Sequence, residues 1–143
     1  MSKFRIVGKS LPKIDGLELV TGEGKFAADY SLPGMLWGKI LRSPVPHARI
    51  RSIDTSKAER LPGVRAVVTG QDTLKRSYGQ FEGTAWSAAD MYPITVDKVR
   101  FVGEELAAVA AVDESTAEKA LDLIAVEYER LPFVLGIEEA MRD

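Results

Sequence analysis

Cysteine is absent from the 143 residues, and histidine occurs once, at His47. The first absence excludes disulfides, iron–sulfur ligation, thiolate zinc sites and cysteine nucleophiles within this chain. The scarcity of histidine excludes His-based metal clusters and a His-x-x-x-His zinc helix. No charge sign dominates: 19 basic and 21 acidic residues leave a net charge of −2. The basic residues are scattered rather than striped, so neither nucleic acid nor an anionic membrane is an expected partner. The longest apolar run, Leu106-Ala-Ala-Val-Ala-Ala-Val112, is far short of a membrane span. The basic start, Met1-Ser-Lys-Phe-Arg-Ile-Val-Gly-Lys, lacks the apolar core of a signal peptide. The cytoplasm is the expected location.

What is present is ordinary for a globular protein: 45% hydrophobic and 28% charged residues. A chain of this length suits one domain that buries roughly two thirds of its unfolded surface. The first 25 residues read as an extended arm with turns at Leu11-Pro-Lys-Ile-Asp-Gly16 and Thr21-Gly-Glu-Gly24. Lys25 to Tyr30 reads as a short strand, closed by a turn at Leu32-Pro-Gly34. Leu36–Leu41 and Ala48–Asp54 follow as strands, the second alternating Ala48 and Ile50 with Arg49 and Arg51. Asp54 or Thr55 then caps a short helix to about Leu61, Pro62-Gly63 stops it, and Val64–Thr69 returns as a strand. A longer unit repeats that order. Glu105–Val112 is apolar enough for burial on both faces. Asp113 and Ser115 offer caps, the latter with Glu118 in a capping box. The helix that follows aligns Ala117, Ala120, Leu121 and Ile124 in one stripe. Ala125–Glu129 closes the unit as a strand, and Leu131-Pro132 ends it.

The expected fold class is therefore α+β, two strand–helix–strand units sharing a mixed sheet, with an extended N-terminal arm. The expected divisions are an arm over 1–25, a first β-α-β region over 26–69, an irregular aromatic loop over 70–97, a second β-α-β unit over 98–132 and the start of a linker over 133–143. The last of these begins a helix at Ile137 and stops abruptly, as a fragment would.

The most distinctive stretch is the corner Ser43-Pro-Val-Pro-His47. Each proline removes a backbone donor and restricts the residue before it, so the two flanking strands cannot form a tight hairpin. His47 has no second histidine or cysteine to work with, and a local hydrogen-bonding role outweighs a catalytic one. Arg42, Arg49 and Arg51 read as a solvated or partner-facing strand side rather than an anion site. Gly22-Glu-Gly24-Lys-Phe-Ala27 fits the dinucleotide pattern, yet Asp29-Tyr-Ser-Leu-Pro33 leaves no room for the helix that must follow, so a turn is the stronger reading. Glu104 and Glu105 point to opposite strand faces, and Glu127 and Glu129 share a face that reads as a solvated edge. Trp37, Tyr78, Phe81, Trp86 and Tyr92 suit either an interface or a core. No nucleophile–base pair, phosphate loop or metal cluster emerges, and the residues alone give a binding or structural module.

Several segments, in order and spacing across most of the chain, resemble the N-terminal α/β hammerhead domain of molybdenum hydroxylase large subunits, the xanthine dehydrogenase, aldehyde oxidase and carbon monoxide dehydrogenase superfamily. They are Lys13-Ile-Asp-Gly16 with Val20-Thr-Gly22; Pro33-Gly-Met-Leu36; Leu41-Arg-Ser-Pro44; His47-Ala-Arg-Ile50 leading to Ile53-Asp54; Leu61-Pro-Gly-Val64 with Ala66-Val-Val-Thr69; Val99-Arg-Phe-Val-Gly-Glu104; and Val126-Glu-Tyr-Glu-Arg-Leu-Pro132. Val109 to Leu121 is similar in particular to the branch acting on aromatic substrates, such as 4-hydroxybenzoyl-CoA reductase. Gly24 and Phe26 depart from the Ala and Tyr common there.

The resemblance implies a full assembly with molybdenum–molybdopterin, iron–sulfur clusters and FAD. Its pterin contacts and catalytic glutamate lie C-terminal to this domain, so no catalytic, cofactor-binding or metal residue carries over. The implied partners are the molybdopterin-binding domain of the same or a partner chain and the iron–sulfur and flavin subunits. This chain alone is expected to be inactive, with Trp37, Arg42, Pro44, Pro46, His47, Arg49, Tyr78, Phe81, Trp86 and Tyr92 as the candidate interface. Two rivals are an active site around His47 and Glu104 and a stand-alone small-molecule or peptide-binding module.

Overall fold

The computed structural model describes residues 4–79, 89 and 91–142. By internal contacts the chain divides into two units, Met1–Met35 and Leu36–Asp143.

The described part of the first unit has no buried residue. Its one helix, α1 (Gly16–Thr21), stands where only turns were expected, because six residues are too few to show an amphipathic period. Gly22 ends it in the left-handed region, at φ 77°, a conformation that costs glycine no Cβ clash. The strand expected at Lys25 to Tyr30 is instead a single 3-10 turn, Ala27–Asp29. The Asp29 carboxylate accepts from the Phe26 N–H at 2.9 Å, and this local bond replaces a ladder for which no partner strand is present among the described residues.

The second unit holds two three-stranded sheets. In the first, β5 (Glu105–Ala111) lies between β1 (Trp37–Arg42) and β3 (Val64–Thr69). In the second, β2 (Ala48–Asp54) lies between β4 (Lys98–Val99) and β6 (Ala125–Arg130). Every strand pairing among the described residues is antiparallel, which corrects the expected mixed sheet. Both strand–helix–strand units are present, β2–α2–β3 through α2 (Ser56–Glu59) and β5–α3–β6 through α3 (Glu114–Asp122). Each carries the chain from one sheet to the other, so its two strands never share a ladder. A last helical turn, α4, spans Ile137–Ala140.

The near-continuous apolarity of β5 follows from its central place: Leu106, Ala107, Val109 and Ala111 are all buried. One core cluster joins Ala107 and Val109 to Ala58 of α2, Ala120 of α3 and Ile124. A second gathers Val45, Ala48, Val99 and Leu106. Leu41 and Val126 pack against both, which ties the sheets together. The helix α3 starts where Asp113 accepts from the Thr116 N–H at 2.7 Å, so Asp113 and not Ser115 is the cap. Lys39 of β1 reaches Glu114 (2.6 Å) and Glu118 (3.0 Å), and these contacts raise its pKa above the ordinary 10.5.

Candidate functional site: the proline corner and its apolar groove

The corner leads the chain from β1 in one sheet to β2 in the other, and it is pinned at both ends. Ser43 is buried; its N–H donates to the Glu104 carbonyl (2.9 Å) and its carbonyl accepts from the Gly103 N–H (2.8 Å). Its hydroxyl also bonds both backbone groups of Val45, at 2.9 and 3.1 Å. Pro44 and Pro46 have no N–H to satisfy, so the bend leaves no donor stranded at those positions. At the far end the His47 carbonyl accepts from the Leu131 N–H at 3.0 Å.

The His47 ring lies 2.7 Å from the Pro132 carbonyl through Nδ1. A carbonyl only accepts, so Nδ1 carries a proton and donates it to Pro132. Behind the corner, burial pushes the Tyr128 phenol above its ordinary pKa of 10.0, opposed in part by its bond to Ser43.

The charged candidates serve the same frame. Arg42 donates to the Gly103 carbonyl (2.8 Å) and pairs with Glu105 (2.5 Å). Glu104 is buried, accepts from the Arg100 N–H at 2.5 Å and approaches the Arg100 guanidinium at 3.4 Å, closing its own turn. His47 and Glu104 therefore each hold a backbone group of this chain, and no hydrogen bond joins them among the described residues. On β6, an edge strand as expected, Glu127 accepts from Ser52 (3.0 Å) and Glu129 pairs with Arg51 (2.6 Å). Arg49 is exposed on β2.

The aromatic candidates divide. Tyr78 and Met91 exchange backbone bonds at 2.8 and 3.1 Å, an isolated antiparallel bridge. Tyr92 is half-buried and lines a small cavity with Phe101, Glu104 and Glu105, which places it beside the corner's supporting turn. Trp37 sits half-exposed at the opposite end of β1 from the corner. Phe81 and Trp86 lie outside the described residues.

Five residues missed by sequence reasoning complete the surface. Phe101, Val102, Phe133, Val134 and Leu135 are all exposed, and with Pro46, His47 and Arg100 they line a groove of about 400 Å³. The one available signal was Phe133-Val-Leu135, an apolar run between Pro132 and Gly136 that fits neither a helix period nor strand alternation. Among the described residues no three His, Cys, Asp or Glu side chains gather as metal ligands. With its one imidazole and its buried carboxylate both bonded to backbone, this donor set does not fit a molybdenum–pterin group, and no chemical step is routed through one. No helix among the described residues is long and apolar enough to cross a membrane.

The geometry defines a small α+β domain whose polar groups hold a bent backbone beneath an apolar surface. Residues 21–132 match the family described as aldehyde oxidase and xanthine dehydrogenase, a/b hammerhead domain, and the chain belongs to that family. It is 48% identical over 130 residues to a probable xanthine dehydrogenase subunit of Bacillus subtilis, covering 90% of this chain and 16% of that one. The nicotinate dehydrogenase large molybdopterin subunit of Eubacterium barkeri is 40% identical over 141 residues, covering 98% of this chain and 32% of that one. The crystal structure of quinoline 2-oxidoreductase from Pseudomonas putida 86 matches with a TM-score of 0.80 at 43% identity, over 97% of this chain and 18% of that one. The chain thus spans less than a third of each relative.

Proposed function

We propose that the chain is the docking domain of a cytoplasmic molybdenum hydroxylase large subunit. It packs against the molybdopterin-binding part of the enzyme and supports assembly with iron–sulfur and flavin subunits, while the redox chemistry takes place elsewhere. The observation that carries this reading is an apolar surface without cover. Residues 4–35 include Phe4, Ile6, Val7, Leu11, Ile14, Leu17 and Val20, every one of them exposed. So many exposed large apolar side chains in one segment suit a contact surface. The family supplies the context, since the relatives carry most of their length outside the matched stretch.

The test is to assay the purified chain for substrate-dependent dye reduction, alone and within the assembled hydroxylase. The isolated chain should show no turnover, and His47→Ala in the assembly should leave the intrinsic chemical step unchanged while weakening association. Turnover by the chain alone, abolished by His47→Ala without unfolding, would sink the proposal and favour an active site at the corner.

A further inference from the structure

We propose that the groove beside the proline corner seats an extended apolar segment bearing one carboxylate, contributed by the cofactor-binding part of the same large subunit. The inference rests on the docking reading above and names the site and its occupant. The groove of about 400 Å³ adjoins a second cavity of about 140 Å³ lined in part by Pro44 and Arg130, and the two share Pro46, His47 and Phe133. The wall formed by the corner is held at both ends by the backbone bonds described above, so little ordering remains to be done on binding.

Three features select the occupant. First, no acidic residue lines either cavity. The Arg100 guanidinium is already engaged by the Lys98 carbonyl, Asp97 and Glu104. The Arg130 side chain, by contrast, makes no hydrogen bond or ion pair among the described residues. A carboxylate on the incoming segment satisfies this guanidinium in a bidentate pair. Second, Nδ1 of His47 is held by the Pro132 carbonyl, which leaves Nε2 as the ring atom for a polar group of the incoming segment. Third, Phe133–Leu135 belongs to no helix or strand and its peptide groups make no backbone hydrogen bond among the described residues. An extended segment can pair with them as an added strand does.

The source follows from length and charge. More than four fifths of the Bacillus subtilis relative lies outside the stretch matched here, so a segment of the same subunit meets the groove at high effective concentration. A second copy docking through the same groove about a two-fold axis would bring together two surfaces that both carry Arg100 and Arg130 and no acidic lining residue, so neither supplies the other's carboxylate.

The experiment places a photo-crosslinking amino acid at position 133 in the assembled hydroxylase containing this chain. The expected result is one adduct, to an apolar, acid-bearing segment of the same subunit outside the matched stretch. Arg130→Glu should lower the adduct yield roughly tenfold and Arg130→Lys much less, while neither changes the melting temperature of the isolated chain. Adducts to a second copy or to an iron–sulfur or flavin subunit would overturn the inference, as would the absence of any adduct. If the crosslinker prevents folding, amide exchange at 133–135 serves instead: slowing on assembly supports the seat and equal rates refute it. Absence of the chain from any such assembly defeats the docking reading itself, whereas intact assembly with the groove still exposed defeats only this inference.

Discussion

At Gly70 the backbone leaves no space for a methyl group. The residue is buried, and a Cβ there would lie 2.8 Å from the Thr95 carbonyl carbon and 2.9 Å from the Val96 Cα, both backbone atoms that cannot swing aside. Gly70→Ala should therefore cost about 3 kcal/mol, at the upper end for overpacking. Gly38 in β1 meets nothing within 4 Å, and Gly38→Ala should be neutral or stabilising by about 0.5 kcal/mol. Urea midpoints of the two variants, compared with the parent, check both.

Three hydrogen-bonded aspartates give a second prediction at this scale. Asp113 is held below its ordinary pKa of 3.8 by the Thr116 backbone N–H and hydroxyl, Asp72 by the same two groups of Thr69, and Asp54 by Ser56. A depressed native value means that the stabilisation is complete above 3.8 and is lost as pH falls through the lower native values. Thermal melts should show Asp113→Ala less stable than the parent at pH 6, with the gap closing as pH drops below 3.8. Asp113 was legible as a cap from its place before a helix; Asp54 was one of two candidates before α2, where Thr55 holds the cap position, and Asp72, in the turn after β3, was not legible at all. Gly70 was not, because its reason lies in Thr95 and Val96, far along the chain.

The helix α3 shows what a sequence pattern conveys about an element and what it withholds. Its stripe of Ala117, Ala120, Leu121 and Ile124 marked the face that packs, and Ala117 and Ala120 are fully buried there. The strands β2 and β3 were equally legible, at their observed bounds, since alternation and proline or glycine breaks are local signals, whereas the two-residue β4 went unread and the strand expected at Lys25 to Tyr30 was a 3-10 turn. Partner choice was not. Strand–helix–strand order suggests parallel neighbours in one sheet, whereas β1 and β3 both pair with the distant β5.

The small side chains of α3 also carry an energetic consequence. Alanine at 120 lets the helix lie close against Ala58, Ala107 and Val109 in the core. Ala120→Leu should force that packing apart at a cost of about 2 kcal/mol. Glu118→Gln, on the exposed side, should change little beyond the Lys39 contact. Chemical denaturation of the two variants distinguishes a tight helix–sheet seam from one that can repack.

Across the whole molecule, burial is concentrated in Leu36–Asp143, while Met1–Met35 has none among its described residues. A segment without buried side chains gains little hydrophobic stabilisation to offset its conformational entropy, and such segments open at low free energy. Composition could not announce this, because apolar residues meant for an interface and apolar residues meant for a core read alike. In the isolated chain, a protease at low dose should cut first within residues 4–35, leaving a resistant fragment that begins near Leu36. In the assembled hydroxylase the same bonds should survive at least tenfold longer, since cover by another surface removes both exposure and local opening. Mass spectrometry of the time course reads both results. Equal cleavage in the two states would show that the arm stays uncovered in the enzyme, and its exposed apolar residues would then require a different partner.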